Sequence, residues 1–113
     1  MQVIELPEFT FNYGWQPVPG WNGDTAGSYR AGITVLDTGG SPVKFGIRVA
    51  KTWNFADAVW VEGPNGPGGH LGYSDGEAVG WELDLFYRYF RVEVLPANSG
   101  DTCKVRVRIA LRS

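Results

Sequence analysis

Few side chains in this sequence combine the types and spacing that covalent chemistry needs. Asp37 lies in Leu36-Asp37-Thr38-Gly39, an aspartate following apolar residues. A carboxylate can activate water when a second carboxylate shares its proton. His70, Ser74 and Asp75 supply a base, a hydroxyl and an acid within one glycine-rich stretch. A working triad needs its base oriented by a third group on rigid supports, which a single loop does not give. Asn22, Asp24 and Asp57 carry the hard oxygens that calcium takes, but without compact ligand spacing, and they read as turn-forming residues. One cysteine, Cys103, and one histidine, His70, exclude a disulfide scaffold and a Cys/His zinc site. Cys103 opens an alternating apolar segment and reads as a half-buried structural thiol. These residues assign no catalytic group, no cofactor and no metal.

Leu36-Asp37-Thr38-Gly39 resembles the catalytic loop of the aspartic protease family. In its retroviral-type members a subunit of similar length supplies one such motif and two subunits pair their aspartates. The resemblance therefore implies a single-motif protease subunit using Asp37, with the glycine-rich residues 63–72 as a flap. It covers four residues. The family's second element, an apolar pair before a glycine and a short helix, does not appear in the C-terminal part, and Gly40-Ser41-Pro42 departs from the usual continuation. Asp-Thr-Gly-Gly between two alternating segments is also an ordinary turn sequence, and a hairpin turn is the expectation here.

Aromatic residues are the stronger signal: five Trp, five Tyr and six Phe in 113 residues, more than a small core needs. Phe9, Phe11, Tyr13 and Trp15 alternate with Thr10, Asn12 and Gly14, which predicts one edge strand with four aromatic rings on a single face. Residues 1–27 contain no basic residue and carry Pro7, Pro17 and Pro19. They read as a stiff extended arm with a first edge strand, ahead of a β-sandwich over residues 28–113, the whole forming one domain. A bare aromatic edge invites another chain. Phe9, Phe11, Tyr13, Trp15 and Trp21, with Arg106, Arg108 and Arg112, are the expected protein-interface residues. An arm that only docks is dispensable to the fold, so deletion of residues 1–20 is expected to spare it. The alternative is a carbohydrate platform of Trp21, Trp53 and Tyr73, whose flat rings suit the apolar faces of pyranoses.

Charge is balanced overall, net −2, which argues against a nucleic-acid binder, but its signs are segregated. Residues 52–87 hold six acidic residues and no Lys or Arg; residues 88–113 hold six basic and two acidic ones. Cross-strand pairing of Glu82, Asp84 and Glu93 with Arg106 and Arg108 is the plainest use of that layout. A basic strand meeting another subunit's acidic loop is the functional one.

The elements that position these groups follow a period of two almost throughout. Tyr29, Ala31, Ile33 and Val35 form one face of a strand, and Val43, Phe45, Ile47 and Val49 form another; the two read as a hairpin about residues 37–42. A short strand is expected over residues 57–62, then a glycine-rich loop over 63–76. Trp81, Leu83 and Leu85 point inward, and the phase then slips before Phe90, Val92 and Val94, which predicts a bulge within residues 86–89. In the clearest strand of all, Val105, Val107, Ile109 and Leu111 face inward and Lys104, Arg106, Arg108 and Arg112 outward. The fold class is all-β: an antiparallel, jelly-roll-like β-sandwich of seven to eight strands.

No apolar run is long enough to span a bilayer, and the first residues lack the basic start and apolar stretch of a secretory signal. The expectation is a non-catalytic subunit or decoration protein of a larger assembly, such as a viral capsid or tail, in the virion or the cytoplasm. Its expected partners are other protein subunits, as a homo-oligomer or on a scaffold or capsid protein, with a glycan in the carbohydrate alternative, and neither nucleic acid nor membrane.

Overall fold

The computed structural model describes residues 1–61 and 71–113. Within them are ten strands and no helix: β1 (Gln2–Glu5), β2 (Phe9–Phe11), β3 (Gln16–Pro17), β4 (Arg30–Gly40), β5 (Val43–Ala50), β6 (Val59–Trp60), β7 (Gly72–Ser74), β8 (Ala78–Asp84), β9 (Tyr89–Pro96) and β10 (Cys103–Arg112). They form two antiparallel five-stranded sheets. One runs β1-β10-β4-β8 with β2 beside β1 along β10; the other runs β3-β9-β5-β6 with β7 sharing the β5 edge.

Period-two patterning is realised on the inner faces. Ala31, Ile33, Val35, Val105, Val107, Ile109 and Leu111 of the first sheet meet Val43, Phe45, Ile47, Val49, Phe90, Val92 and Val94 of the second, all buried. At roughly 25 cal/mol per Å² of apolar surface removed from water, this layer is the main source of stability. The described residues include no helix long and apolar enough to cross a membrane.

Three local expectations are corrected. β4 and β5 are not a hairpin: β4 pairs with β10 and β8, and β5 pairs with β9, β6 and β7. The chain crosses between sheets at Ser41-Pro42, and Asp37 lies inside β4 rather than in a turn. There the ladder shifts by one, with Asp37 opposite Val105 and Gly39 opposite Lys104, so Thr38 is the extra residue of a bulge. The phase slip before Phe90 is likewise no bulge. The chain leaves the first sheet after Asp84 and enters the second at Tyr89, and a strand that changes sheets is free to restart its inward phase.

The third correction concerns the N-terminal segment. The four-aromatic strand does not form. β2 ends at Phe11, Gly14 has a positive φ of 56°, and the chain crosses to the other sheet, where Gln16 and Pro17 pair with Val94 and Glu93. Residues 1–20 thereby lace one lateral side of the sandwich shut, β1 and β2 on β10 and β3 on β9. Leu6, Phe11 and Val18 are buried in the common core, and the amides of Leu6 and Val18 donate to the carbonyls of Val107 and Val92.

Candidate functional site

Four exposed aromatic side chains are carried by connections at one end of the sandwich. β4 begins beside the end of β8, since Arg30 pairs with Asp84, and β9 begins beside the end of β5, since Tyr89 pairs with Ala50. Three connections therefore share that end: residues 18–29, 51–58 and 85–88. On them Phe86 is 87% exposed, Trp53 75%, Tyr29 60% and Tyr87 37%. Phe86 and Tyr87 also line an apolar recess with Val49, Val61 and Leu83.

These connections are held firmly from below. The Asp57 carboxylate accepts from the Lys51 and Thr52 amides at 3.0 and 3.2 Å and from the Thr52 hydroxyl at 2.7 Å. Those bonds, the Thr52 hydroxyl first, hold its pKa below the ordinary aspartate value. They close the loop that displays Trp53. Phe55 of the same loop has a positive φ of 58°; its ring lies 6.4 Å from Tyr89 and beneath the Arg91 guanidinium at 4.5 Å. In the neighbouring loop Asn22 accepts from the Asp24 amide, and Asp24 accepts from the Ala26 amide and pairs with Arg88 at 3.2 Å. Hydrogen bonding from Arg88 lowers the Asp24 pKa. Buried Thr25 donates its hydroxyl to the Arg88 carbonyl, tying this loop to the one that bears Phe86. Trp21 stacks edge-on against Phe90, 4.9 Å between centroids.

The outer face of the second sheet continues this packing. Trp15 lies 5.0 Å from Trp60, whose ring carries the Arg48 guanidinium at 4.1 Å. Gly46 is required beneath them, because a Cβ there would sit 2.9 Å from the Trp60 ring. Glu93, 3% exposed, is clamped between Arg48 and Arg91, each with Nε 2.9 Å from the carboxylate. The Arg91 contact is a hydrogen bond; Arg48 Nε is off-axis and makes an ion pair without one. Glu93 thus pairs within its own sheet, not with Arg106 or Arg108.

The expected interface residues are dispersed. Phe11 is core, Phe9 packs on it at 5.7 Å, Trp15 and Trp21 are half-buried, and Tyr13 is exposed at the opposite end. Arg106 and Arg108 are exposed but pair with Glu8 and Glu5 of the N-terminal segment at 3.6 and 3.5 Å. Arg112 pairs with Glu82 at 3.4 Å. The expected carbohydrate residues are not brought together either. Tyr73 is opposite Lys44 whereas Trp53 follows Ala50, a separation of roughly 20 Å along the strand.

Asp37 is buried, its carboxylate accepting from the Gly39 and Gly76 amides at 3.1 Å each. Its own amide donates to the buried Ser74 hydroxyl, which donates to the Glu77 carbonyl. Ser74 and Asp37 therefore pin the β7–β8 connection to β4, and Asp75 is exposed. His70 and Glu62 lie outside the described residues, as does most of the expected flap. Cys103 is buried, and desolvation first, then the Asp37 charge, pushes its thiol pKa up, the state of an inert structural cysteine.

Tyr29, Phe86 and Tyr87 were not singled out by the sequence. Tyr29 was expected inside; it precedes β4 and is exposed. A detectable signal did exist: Phe86-Tyr87-Arg88-Tyr89 is the run where the inward phase breaks, and a corner with apolar residues at both parities must leave some of them outside. The architecture and this end define an all-β, two-sheet protein with an exposed aromatic rim. No protein-family model matches the chain, and no curated protein matches it either.

Proposed function

We propose that this protein is a non-catalytic, jelly-roll-like β-sandwich subunit of a larger protein assembly, of the capsid or tail-decoration kind, working in a virion or in the cytoplasm. The carrying observation is the rim of Tyr29, Trp53, Phe86 and Tyr87, held exposed on rigidly hydrogen-bonded loops. Single exposed apolar residues are ordinary, but large rings gathered on one end are the composition of protein docking surfaces. Aromatic anchors on pre-ordered loops lose little freedom on binding. The engagement of Asp37 with two backbone amides supports a structural use of the Asp-Thr-Gly segment over the protease reading.

The test is sedimentation of the full chain over rising concentration. Wild type is expected to form species larger than a dimer. The double variant Trp53→Ser with Phe86→Ser is expected to stop at the dimer or monomer while melting at the same temperature. A wild-type chain that never exceeds a dimer overturns self-assembly through the rim and leaves a scaffold or capsid protein as the partner to be tested. Trp53 keeps the carbohydrate alternative in view, because it is the most exposed ring of that set; glycan binding lost on Trp53→Ala is its signature.

A further inference from the structure

β8 is the longest edge strand among the described residues, and within them it pairs with β4 alone. The other edges are blunted: β3 and β6 have two residues each, β7 has three, and β1 and β2 are separated by Pro7. Natural proteins protect long edges with proline, lysine, bulges or unpaired charges. β8 reads Ala-Val-Gly-Trp-Glu-Leu-Asp and contains no proline, lysine or register shift. Its two charges are already satisfied on its own subunit, Glu82 by Arg30 at 2.9 Å and Arg112 at 3.4 Å, and Asp84 by Arg30 at 3.4 Å. The Leu85 amide donates to the Tyr29 carbonyl on the β4 side. Antiparallel alternation therefore turns Val79, Trp81 and Leu83 toward β4, and the backbone groups of Ala78, Gly80, Glu82 and Asp84 toward the open edge.

We propose that β8 pairs antiparallel with β8 of a second copy, about a two-fold axis at Trp81, joining the first sheets of two subunits into one continuous sheet. This names a partner for the assembly reading and rests on it. The occupant follows from charge and self-complementarity. With the axis at Trp81, Glu82 is opposite Gly80 of the second copy and Asp84 opposite its Ala78, so no like charges face each other. On the inner face Val79 meets Leu83 and Trp81 meets Trp81, apolar against apolar. An axis at Glu82 sets Glu82 directly on its own copy. An axis at Gly80 pairs only residues 78–82 and sets Leu83 of β8 against Glu77, whereas the axis at Trp81 pairs all seven residues of β8 and meets Glu77 only beyond them, at Leu85. Both alternative registers are penalised, and an isologous contact uses the same patch twice, as a two-fold dimer requires.

The test is the dimer dissociation constant by analytical ultracentrifugation for a charge pair at Ala78, an exposed position. Ala78→Asp sets a like charge opposite Asp84 and is expected to weaken the dimer by about two- to thirty-fold, two such contacts forming per dimer. Ala78→Lys is expected to tighten it, and added salt to shrink both effects. Gly80→Pro removes an outward amide without touching the β4 ladder and is expected to give monomers with retained β-sheet circular dichroism. A monomeric wild-type chain, or two Ala78 variants that shift the constant in the same direction, overturns the proposal. The Trp53→Ser, Phe86→Ser double variant should remain dimeric, so failure of the rim and failure of this edge are read separately.

Discussion

The two lateral sides of this sandwich treat their edges in opposite ways. On one, residues 1–20 run across both sheets, bury Leu6, Phe11 and Val18, and set Glu5 and Glu8 against Arg108 and Arg106. On the other, β8 ends the first sheet among the described residues, with an uninterrupted strand whose acids pair with Arg30 and Arg112 of its own subunit. One edge has been closed by the chain's own start; the other retains the backbone groups and apolar alternation that pair with further strands. An aromatic-rich edge segment is therefore not by itself a docking arm, since its rings are spent wherever the two sheets leave a side open.

Deleting residues 1–20 breaks the comparison most severely. The removal takes three edge strands and three core side chains, so the truncated chain is expected to lose its cooperative thermal transition, the reverse of the expectation for a pure docking arm. A truncation that melts like the full chain would return the segment to that role. Phe11→Ala, at a core position, is expected to cost about 3–5 kcal/mol in urea unfolding; a cost below about 1 kcal/mol would show that the side is loosely closed. Asp37→Asn places an amide N–H where a carboxylate oxygen now accepts a buried bond, for an expected loss of about 1–3 kcal/mol. It should also speed amide exchange at Gly76, on the β8 side alone.

Smaller effects sharpen the contrast. Arg108→Ala removes one exposed pair to Glu5 and should change stability by about 0–1 kcal/mol, because apolar burial and not the ion pairs closes the arm side. The pH response is expected to localise at the rim and β8. Asp24, Asp57 and Glu82 have folded pKa values lowered by hydrogen bonds from Arg88, Thr52 and Arg30 respectively. Lowered carboxylates contribute stability above their unfolded values, 3.8 for the aspartates and 4.5 for the glutamate. That contribution is lost as pH falls below those values through the folded ones. In Asp57→Asn the loop that displays Trp53 should already be loosened at neutral pH, and acid titration followed by Trp fluorescence should report a smaller change there than in wild type.

The inward faces of β4, β5, β9 and β10 were legible because water penalises a misplaced apolar side chain at every second position, and Val105, Val107, Ile109 and Leu111 leave one register open. Other features were not. Two alternating strands joined by a few residues look alike whether they pair side by side or arch between sheets, which is why the apparent hairpin of β4 and β5 proved to be a crossover. Glu93 looked like a surface partner for Arg106, yet it is buried between Arg48 and Arg91. The exposed rim was partly visible as the broken phase over residues 86–89.

By itself the sequence determined the class, all-β with two-sided strands, and the identity of most core residues, because burial and the pleat are local consequences of residue order. Only the tertiary structure decided which strands share a sheet, that the first twenty residues close one flank, and which aromatic rings stay in water. Those outcomes depend on contacts between residues far apart in the chain, and alternation along one strand carries no record of the neighbour it will meet.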